Sequence, residues 1–212
     1  MSKLVITNID YNGKNKIFCG LYNENKFYQV DFFNEESDTP AQIGDIFVGR
    51  IKDIAKNISA AFIEYKKGCT GYFSLEENSN IIFLNKKNTD KLCVGDDIIV
   101  QIQKAAVKTK FPVLTSNISI SGRNIVLNIG KNGVGFSGKI KNPNFKNSVN
   151  SFLSERIVNY ERINSERYGV IVRTNAENAS EQELLIELEN LINEWILLKT
   201  TALTRKSYSI LK

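Results

Sequence analysis

Ile46-Phe-Val-Gly-Arg-Ile-Lys-Asp-Ile54, Ile58-Ser-Ala-Ala-Phe-Ile-Glu-Tyr65, Gly71-Tyr-Phe-Ser-Leu75, Asp97-Ile-Ile-Val-Gln-Ile-Gln-Lys104 and Val113-Leu-Thr-Ser-Asn-Ile118 are the runs that decide the fold. Each is short, rich in β-branched and aromatic residues, and set off by turn-forming residues, which is the composition of a strand. Five strands with a polar excursion between the third and the fourth is the pattern of an OB-fold barrel.

Upstream, Lys3-Leu-Val-Ile-Thr-Asn8, Asn15-Lys-Ile-Phe-Cys-Gly-Leu-Tyr22 and Lys26-Phe-Tyr-Gln-Val-Asp-Phe-Phe33 read as three strands separated by Asn/Gly turns, a meander too small to stand alone. Downstream, Arg123-Asn-Ile-Val-Leu-Asn-Ile-Gly130 and Gly135-Phe-Ser-Gly-Lys-Ile140 are strand-like and bracket the turn Lys131-Asn-Gly-Val134, as a hairpin would. A helix is expected over about 148–159, with Phe152, Leu153, Ile157 and the adjoining Tyr160 on one stripe. The strand Gly169-Val-Ile-Val-Arg-Thr174 and the loop Asn175-Ala-Glu-Asn-Ala179 follow it. Ser180-Glu-Gln-Glu183 is a capping box opening a long helix, whose apolar stripe is Leu184, Leu188, Leu191, Ile192, Trp195 and Leu198. The whole is expected to be α+β.

The chain has no histidine. That removes the commonest general base and metal ligand, and every Ser-His-Asp or Cys-His arrangement. The adjacent aspartates Asp96-Asp97 read as a turn ahead of a strand, and no acid-base constellation stands out. Cys19, Cys69 and Cys93 are odd in number and widely spaced, the pattern of reduced thiols. Gly133-Val-Gly-Phe-Ser-Gly138 satisfies a dinucleotide fingerprint, and with Lys139 most of a P-loop. Both motifs need a loop that leaves a strand and opens a helix, and Pro143, with no Ser or Thr after Lys139, argues against that here. No window approaches the roughly 18 apolar residues of a membrane span, and the N-terminus lacks a signal-peptide pattern. Together these point to a cytoplasmic protein.

Net charge is +5, from 28 basic and 23 acidic residues, and its distribution says more than its size. Between Lys104 and Lys146 lie Lys108, Lys110, Arg123, Lys131, Lys139 and Lys141, with no acidic residue. A charge run is ordinarily a solvated surface, but so long a span of one sign suits a polyanionic partner. Aromatics on barrel strands are ordinarily core. Phe62, however, shares its face with Ala60 and Glu64 and opposes Ala61 and Ile63, which favours an exposed ring that can stack on a base. Tyr72 stands ten residues further on, with Phe73 pointing inward in the same arrangement. Arg173, read alone, is a salt-bridged strand end. With Thr174 at the C-terminal end of a buried strand, it is also well placed to face a crevice, where its planar fork could grip a phosphate.

Gly44-Asp-Ile-Phe-Val-Gly-Arg-Ile51, Ala60-Ala-Phe-Ile-Glu-Tyr65 and Gly71-Tyr-Phe-Ser-Leu75 resemble the S-one class of RNA-binding domain. Lys108-Thr-Lys-Phe-Pro-Val-Leu-Thr-Ser-Asn-Ile-Ser-Ile-Ser-Gly-Arg-Asn-Ile-Val-Leu127 and Tyr168-Gly-Val-Ile-Val-Arg-Thr174 resemble the sensor module of the ribonuclease E/G family. The resemblance covers essentially the whole chain and implies three parts. Residues 1–38 would be partial RNase H-like strands, 39–118 an inserted S-one type OB-fold, and 119–212 an α+β 5′-sensor subdomain. It implies that Gly122, Val126, Arg173 and Thr174 hold the 5′-phosphate of an RNA, Val126 through its backbone N–H. It also implies that Phe62 and Tyr72 stack bases beside Lys110. The implied partner is single-stranded RNA, preferably 5′-monophosphorylated. The family's magnesium-binding aspartates and zinc-binding cysteines match nothing here, so no cofactor is expected in this chain; magnesium, zinc at a subunit interface and homo-oligomerisation are expected only of the complete enzyme. The chain alone is therefore expected to bind RNA without cutting it, as the gripping part of an endoribonuclease of RNA processing and decay. The alternative is a plain, non-catalytic OB-fold RNA-binding module of the translation or transcription type, with residues 119–212 a structural appendage.

Overall fold

The computed structural model describes residues 3–23, 26–34, 41–85 and 91–212. The chain divides into two compact units, residues 1–41 and 42–212. In the first, β1 (Lys3–Tyr11), β2 (Lys14–Asn23) and β3 (Lys26–Asn34) form an antiparallel sheet in that order. Asn12 and Gly13, at φ 56 and 72, form the two-residue turn joining β1 to β2, a left-handed pair suited to the twist of a hairpin. On one face Phe18 packs against Phe27 and Phe32, with ring centroids 5.2 and 5.7 Å apart. Leu4 and Ile6 lie on the other face, and all but Phe18 of these five are exposed. Apolar residues on both faces are the pattern of strands covered from two sides.

The second unit opens with a closed barrel. Its strands are β4 (Ile46–Ala55), β5 (Ala60–Lys66), β6 (Cys69–Ser74), β7 (Asp97–Lys104) and β8 (Val113–Thr115), in the order β4-β5-β6-β8-β7. Such closure leaves no long free edge and is OB-like, as the strand pattern predicts. The interior is filled by Phe47, Ile51, Ile63, Phe73, Ile98, Val100 and Leu114, all nearly inaccessible. Ile58 does not start β5 as expected: a 3₁₀ turn over Lys56–Ile58 and Ser59 in the left-handed region (φ 47) precede it.

Beyond the barrel, β9 (Ser119–Ser121), β10 (Ile125–Ile129), β11 (Gly133–Phe136) and β12 (Tyr168–Val172) form a second sheet, ordered β11-β12-β10-β9. The expected hairpin between β10 and β11 is not there. Strand β12 lies between them, antiparallel to β10 and parallel to β11. The link from β10 to β11 must therefore cross β12, and it does so over Gly169, where a Cβ would sit 2.8 Å from Cβ of Lys131. Helix α1 (Pro143–Asn164) is longer than expected at both ends. Pro143 starts it instead of preventing it, since a helix's first residue needs no N–H partner. Asn142 caps it, its Oδ1 accepting from the N–H groups of Asn144 and Phe145. That cap lies four residues beyond Gly138, and the motif's Gly133 and Gly135 lie within β11, which argues against the nucleotide motifs. Val149, Leu153 and Ile157 are the buried stripe of α1, with Phe152 and Tyr160 half-buried beside it.

Helix α2 (Glu181–Ala202) begins at the expected capping box: Ser180 Oγ accepts from Glu183 N–H, and the Glu183 carboxylate accepts from Ser180 N–H. Its expected stripe is buried throughout. Both helices pack on the sheet face bearing Ile125, Leu127, Ile129, Val170 and Val172, and the same cluster takes in Ile46, Val48 and Ile99 from the outside of the barrel. After α2 the chain returns to β4: Ile46 N–H donates to Lys212 O, Tyr208 N–H to Val48 O, and Val48 N–H to Ser209 O.

Candidate nucleic-acid interface

Strand β5 alternates as its sequence predicts from Ala61 onward, whereas Ala60, on the face of Phe62, is buried too. Ala61 and Ile63 are fully buried, while Phe62 and Glu64 are half-exposed. Phe62 pairs directly with Tyr72 on β6, their ring centroids 6.4 Å apart and the planes at 76°. Next to Tyr72, Phe73 is wholly inaccessible. Lys110 lies exposed at the foot of a tight turn whose closing bond runs from its N–H to Val107 O. The sequence reading missed Phe111, which follows Lys110, is 52% exposed, and stands 5.7 Å from the Phe62 ring. Its only signal in the sequence is an aromatic between a lysine and Pro112; its neighbours depend on β8 pairing in parallel with β6.

Further along this surface the charges are paired. Arg50 grips Asp97 through two hydrogen bonds, of 2.9 and 2.8 Å, and is held further toward its charged form by that carboxylate. Glu64 is held below the usual carboxylate range, first by the Gly68 N–H and then by Lys52, which lies 3.1 Å away. Asp97 also accepts from Ser207 Oγ, and Asp96, 5% exposed, accepts from Cys93 N–H. The aspartate pair is thus committed to structural bonds. Among the described residues no group of three or more His, Cys, Asp or Glu could hold a metal ion.

The second candidate cluster lies at strand ends of the other sheet. Strand β12 stops at Val172, so Arg173 and Thr174 fall just beyond it, and Thr174 opens a 3₁₀ turn instead of a loop. Arg173 N–H donates to Asn124 O, and its Nη1 donates to Gly122 O at 2.7 Å. The rest of its guanidinium is exposed, and among the described residues no carboxylate forms an ion pair with it. Gly122, Arg173 and Thr174 are therefore brought to one end of the sheet. Val126 lies deeper, within β10, paired with Ser121 on one side and Ile171 on the other.

Glu187 of α2, also absent from the sequence reading, holds the loop that carries Gly122. Its carboxylate accepts from the N–H groups of Asn124 (2.9 Å) and Ile125 (3.3 Å) and from the Asn124 side-chain amide (2.8 Å). A Cβ on Gly122 would lie 2.1 Å from Glu187 Oε1, so only glycine fits beside this clamp. A polar cleft of about 220 Å³, lined by Arg123, Asn124, Asn175, Asn178, Ala179 and Glu183, opens between the same loops.

A closed OB-like barrel continued by a four-stranded sheet with two helices defines an α+β protein of OB-like class. The sequence model of the Ribonuclease E/G family matches residues 119–212. Ribonuclease E of Synechocystis sp. is 29% identical over 173 residues, 80% of this chain and 25% of that protein. The ribonuclease E/G-like protein of Pyropia yezoensis is 30% identical over 172 residues, 79% of this chain and 32% of that protein. The putative ribonuclease E of Buchnera aphidicola subsp. Baizongia pistaciae is 26% identical over 210 residues, 95% of this chain and 48% of that protein. Residues 119–212 are thus a ribonuclease E/G family segment, and the chain is a relative of these ribonucleases. It spans between a quarter and a half of the length of the three described here.

Proposed function

We propose that this chain is the RNA-gripping, 5′-end-sensing part of a ribonuclease E/G type endoribonuclease of RNA processing and decay. On this reading residues 1–38 are RNase H-like strands, 39–118 an S-one type RNA-binding domain and 119–212 the 5′ sensor. Single-stranded RNA lies along the barrel face, its bases stacking on Phe62 and Tyr72 with a backbone phosphate near Lys110. Its 5′-monophosphate is captured by Arg173 and Thr174, with Gly122 and the backbone N–H of Val126 completing the pocket. The observation that carries the reading is the state of Arg173: one N–H anchors the guanidinium to Gly122 O, and the remainder faces solvent with no carboxylate pairing with it among the described residues. An oriented, uncompensated fork is suited to a terminal phosphate, which has more charge and more free oxygens than an internal diester.

The test is binding of one short single-stranded RNA carrying either a 5′-monophosphate or a 5′-hydroxyl, at two salt concentrations. The wild-type protein is expected to prefer the monophosphate, and Arg173→Ala to erase the difference. Arg173→Lys, which keeps the charge and loses the fork, should fall between them. Phe62→Ala should weaken both RNAs alike. Equal, salt-sensitive binding of the two RNAs by wild type would reduce the chain to a plain OB-fold RNA-binding module.

A further inference from the structure

We propose that Phe111 is a third stacking residue of the barrel face, taking the base next to the one on Phe62. This rests on the reading of that face as an RNA-binding surface. Phe111 is outside any strand, yet its backbone is fixed: Pro112 O accepts from Tyr72 N–H at 2.9 Å, and Val113 pairs with Tyr72. The ring is thereby carried to 5.7 Å from Phe62, at 67° to it, just ahead of β8, the strand that neighbours that of Tyr72.

Two features separate a binding ring from a packing one. First, the ring stays 52% exposed. An edge-on contact leaves π-face available, and that face is what a base needs. Second, its surroundings suit a phosphate chain. Lys108 and Lys110, both exposed, lie in the turn just before it, with Lys108 in the left-handed region (φ 54). No acidic residue occurs between Lys104 and Lys146. Because the rings of Phe62 and Phe111 are far from parallel, one base cannot stack flat on both. Successive nucleotides can, with the intervening phosphate neutralised by the turn.

The test uses a 5′-hydroxyl oligonucleotide, so that end recognition plays no part, and the variants Phe111→Leu, Phe111→Ala and Phe111→Trp. Leucine keeps apolar packing against Phe62 and removes the π-face. Both Phe111→Leu and Phe111→Ala are expected to weaken binding about tenfold, within the range of one stacked base, with the salt dependence unchanged. Lys110→Ala should instead lower the log–log salt slope by about 0.7. Phe111→Trp should keep its affinity, and its fluorescence should be quenched by RNA. The one native tryptophan, Trp195, is wholly buried, so RNA cannot touch it and its emission is a constant background to subtract. Unchanged affinity in Phe111→Leu, or unquenched Phe111→Trp emission at saturating RNA, would overturn the proposal while leaving the surface reading intact if Phe62→Ala still weakens binding. Absence of RNA binding by wild type would remove both.

Discussion

Glu187 and Gly122 should behave as one device. Glu187→Ala removes three acceptor contacts and strands the N–H of Asn124, a residue only 9% exposed. Hydrogen bonds to a charged group contribute about 1.5–3 kcal/mol each and are not additive, so a loss of about 3 kcal/mol is expected. Glu187→Gln should cost less, about 1–2 kcal/mol, because its one carbonyl oxygen can still serve the backbone donors. Gly122→Ala reaches the same end from the other side. Gly122 is not in the left-handed region, so alanine is conformationally tolerable, but its Cβ would lie 2.1 Å from Oε1 and must expel the carboxylate. It should also cost about 3 kcal/mol, and in the Glu187→Ala background almost nothing, giving a coupling of about 3 kcal/mol, at the upper end for residues in contact. Urea unfolding of the four proteins measures this. On the proposed function each single variant also narrows the difference between 5′-monophosphate and 5′-hydroxyl RNA, because the loop that holds Gly122 O for Arg173 loosens. Additive losses would refute the clamp, and so would a Glu187→Ala protein as stable as wild type.

Two further predictions concern the scaffold. Asn78, 5% exposed, accepts at Oδ1 from Thr115 Oγ1, Ser116 N–H and Ser116 Oγ, and donates to Ser74 O. Asn78→Ala should destabilise the protein by about 2–4 kcal/mol, read as a lower urea midpoint, because it unties the chain after β6 from the end of β8. Burial, followed by the nearby Glu166, pushes the Tyr168 hydroxyl up to about 12 from an ordinary 10.0. The unfolded chain therefore loses this proton first as pH rises. The associated stability is fully present below about pH 10 and is lost as pH rises through about 12, for a total of about 3 kcal/mol. Tyr168→Phe should lose that part of the alkaline decline when the two proteins are unfolded in urea at pH 9 and pH 11, and an unchanged decline would mean that the hydroxyl ionises as readily folded as unfolded.

The barrel was legible because strand alternation is written locally: Ala61 and Ile63 inward and Phe62 and Glu64 outward follow from position alone. Helix α2 was legible for the same reason, with capping box and stripe both contained in one segment. The order β11-β12-β10-β9 was not, because no strand encodes its neighbour. What permits that order is a missing side chain on Gly169, 38 residues from Lys131 in the link that crosses it. Pro143 misled because proline is tolerated at the first position of a helix and prohibited further in, and the sequence shows the residue without its position. The candidate sites divide likewise. Phe62 and Tyr72 could be argued from alternation, whereas Gly122 beside Arg173 required the family resemblance, and Phe111 and Glu187 required tertiary structure.

The two candidate surfaces belong to one mechanical object. The outward residues of β4 and β7, Ile46, Val48 and Ile99, are buried in the same cluster as β10, β12 and α2, so the barrel is apolar on two sides there: inward to its own core and outward to the sheet. A barrel packed in this way cannot rotate relative to the sheet without exposing that cluster, at about 25 cal/mol for each Å² of apolar surface opened. The return of the chain along Ile46 and Val48 adds backbone hydrogen bonds to the same edge. On the proposed function, this rigidity is what turns two modest sites into a selective one. An RNA held on the aromatic face presents its 5′ end to Arg173 at a fixed effective concentration, and a linker of RNA that cannot span the two gains nothing from the second site. Rigidity also places the discrimination at the phosphate: stacking is indifferent to the 5′ group, so any preference must arise where Arg173, Thr174 and Gly122 converge.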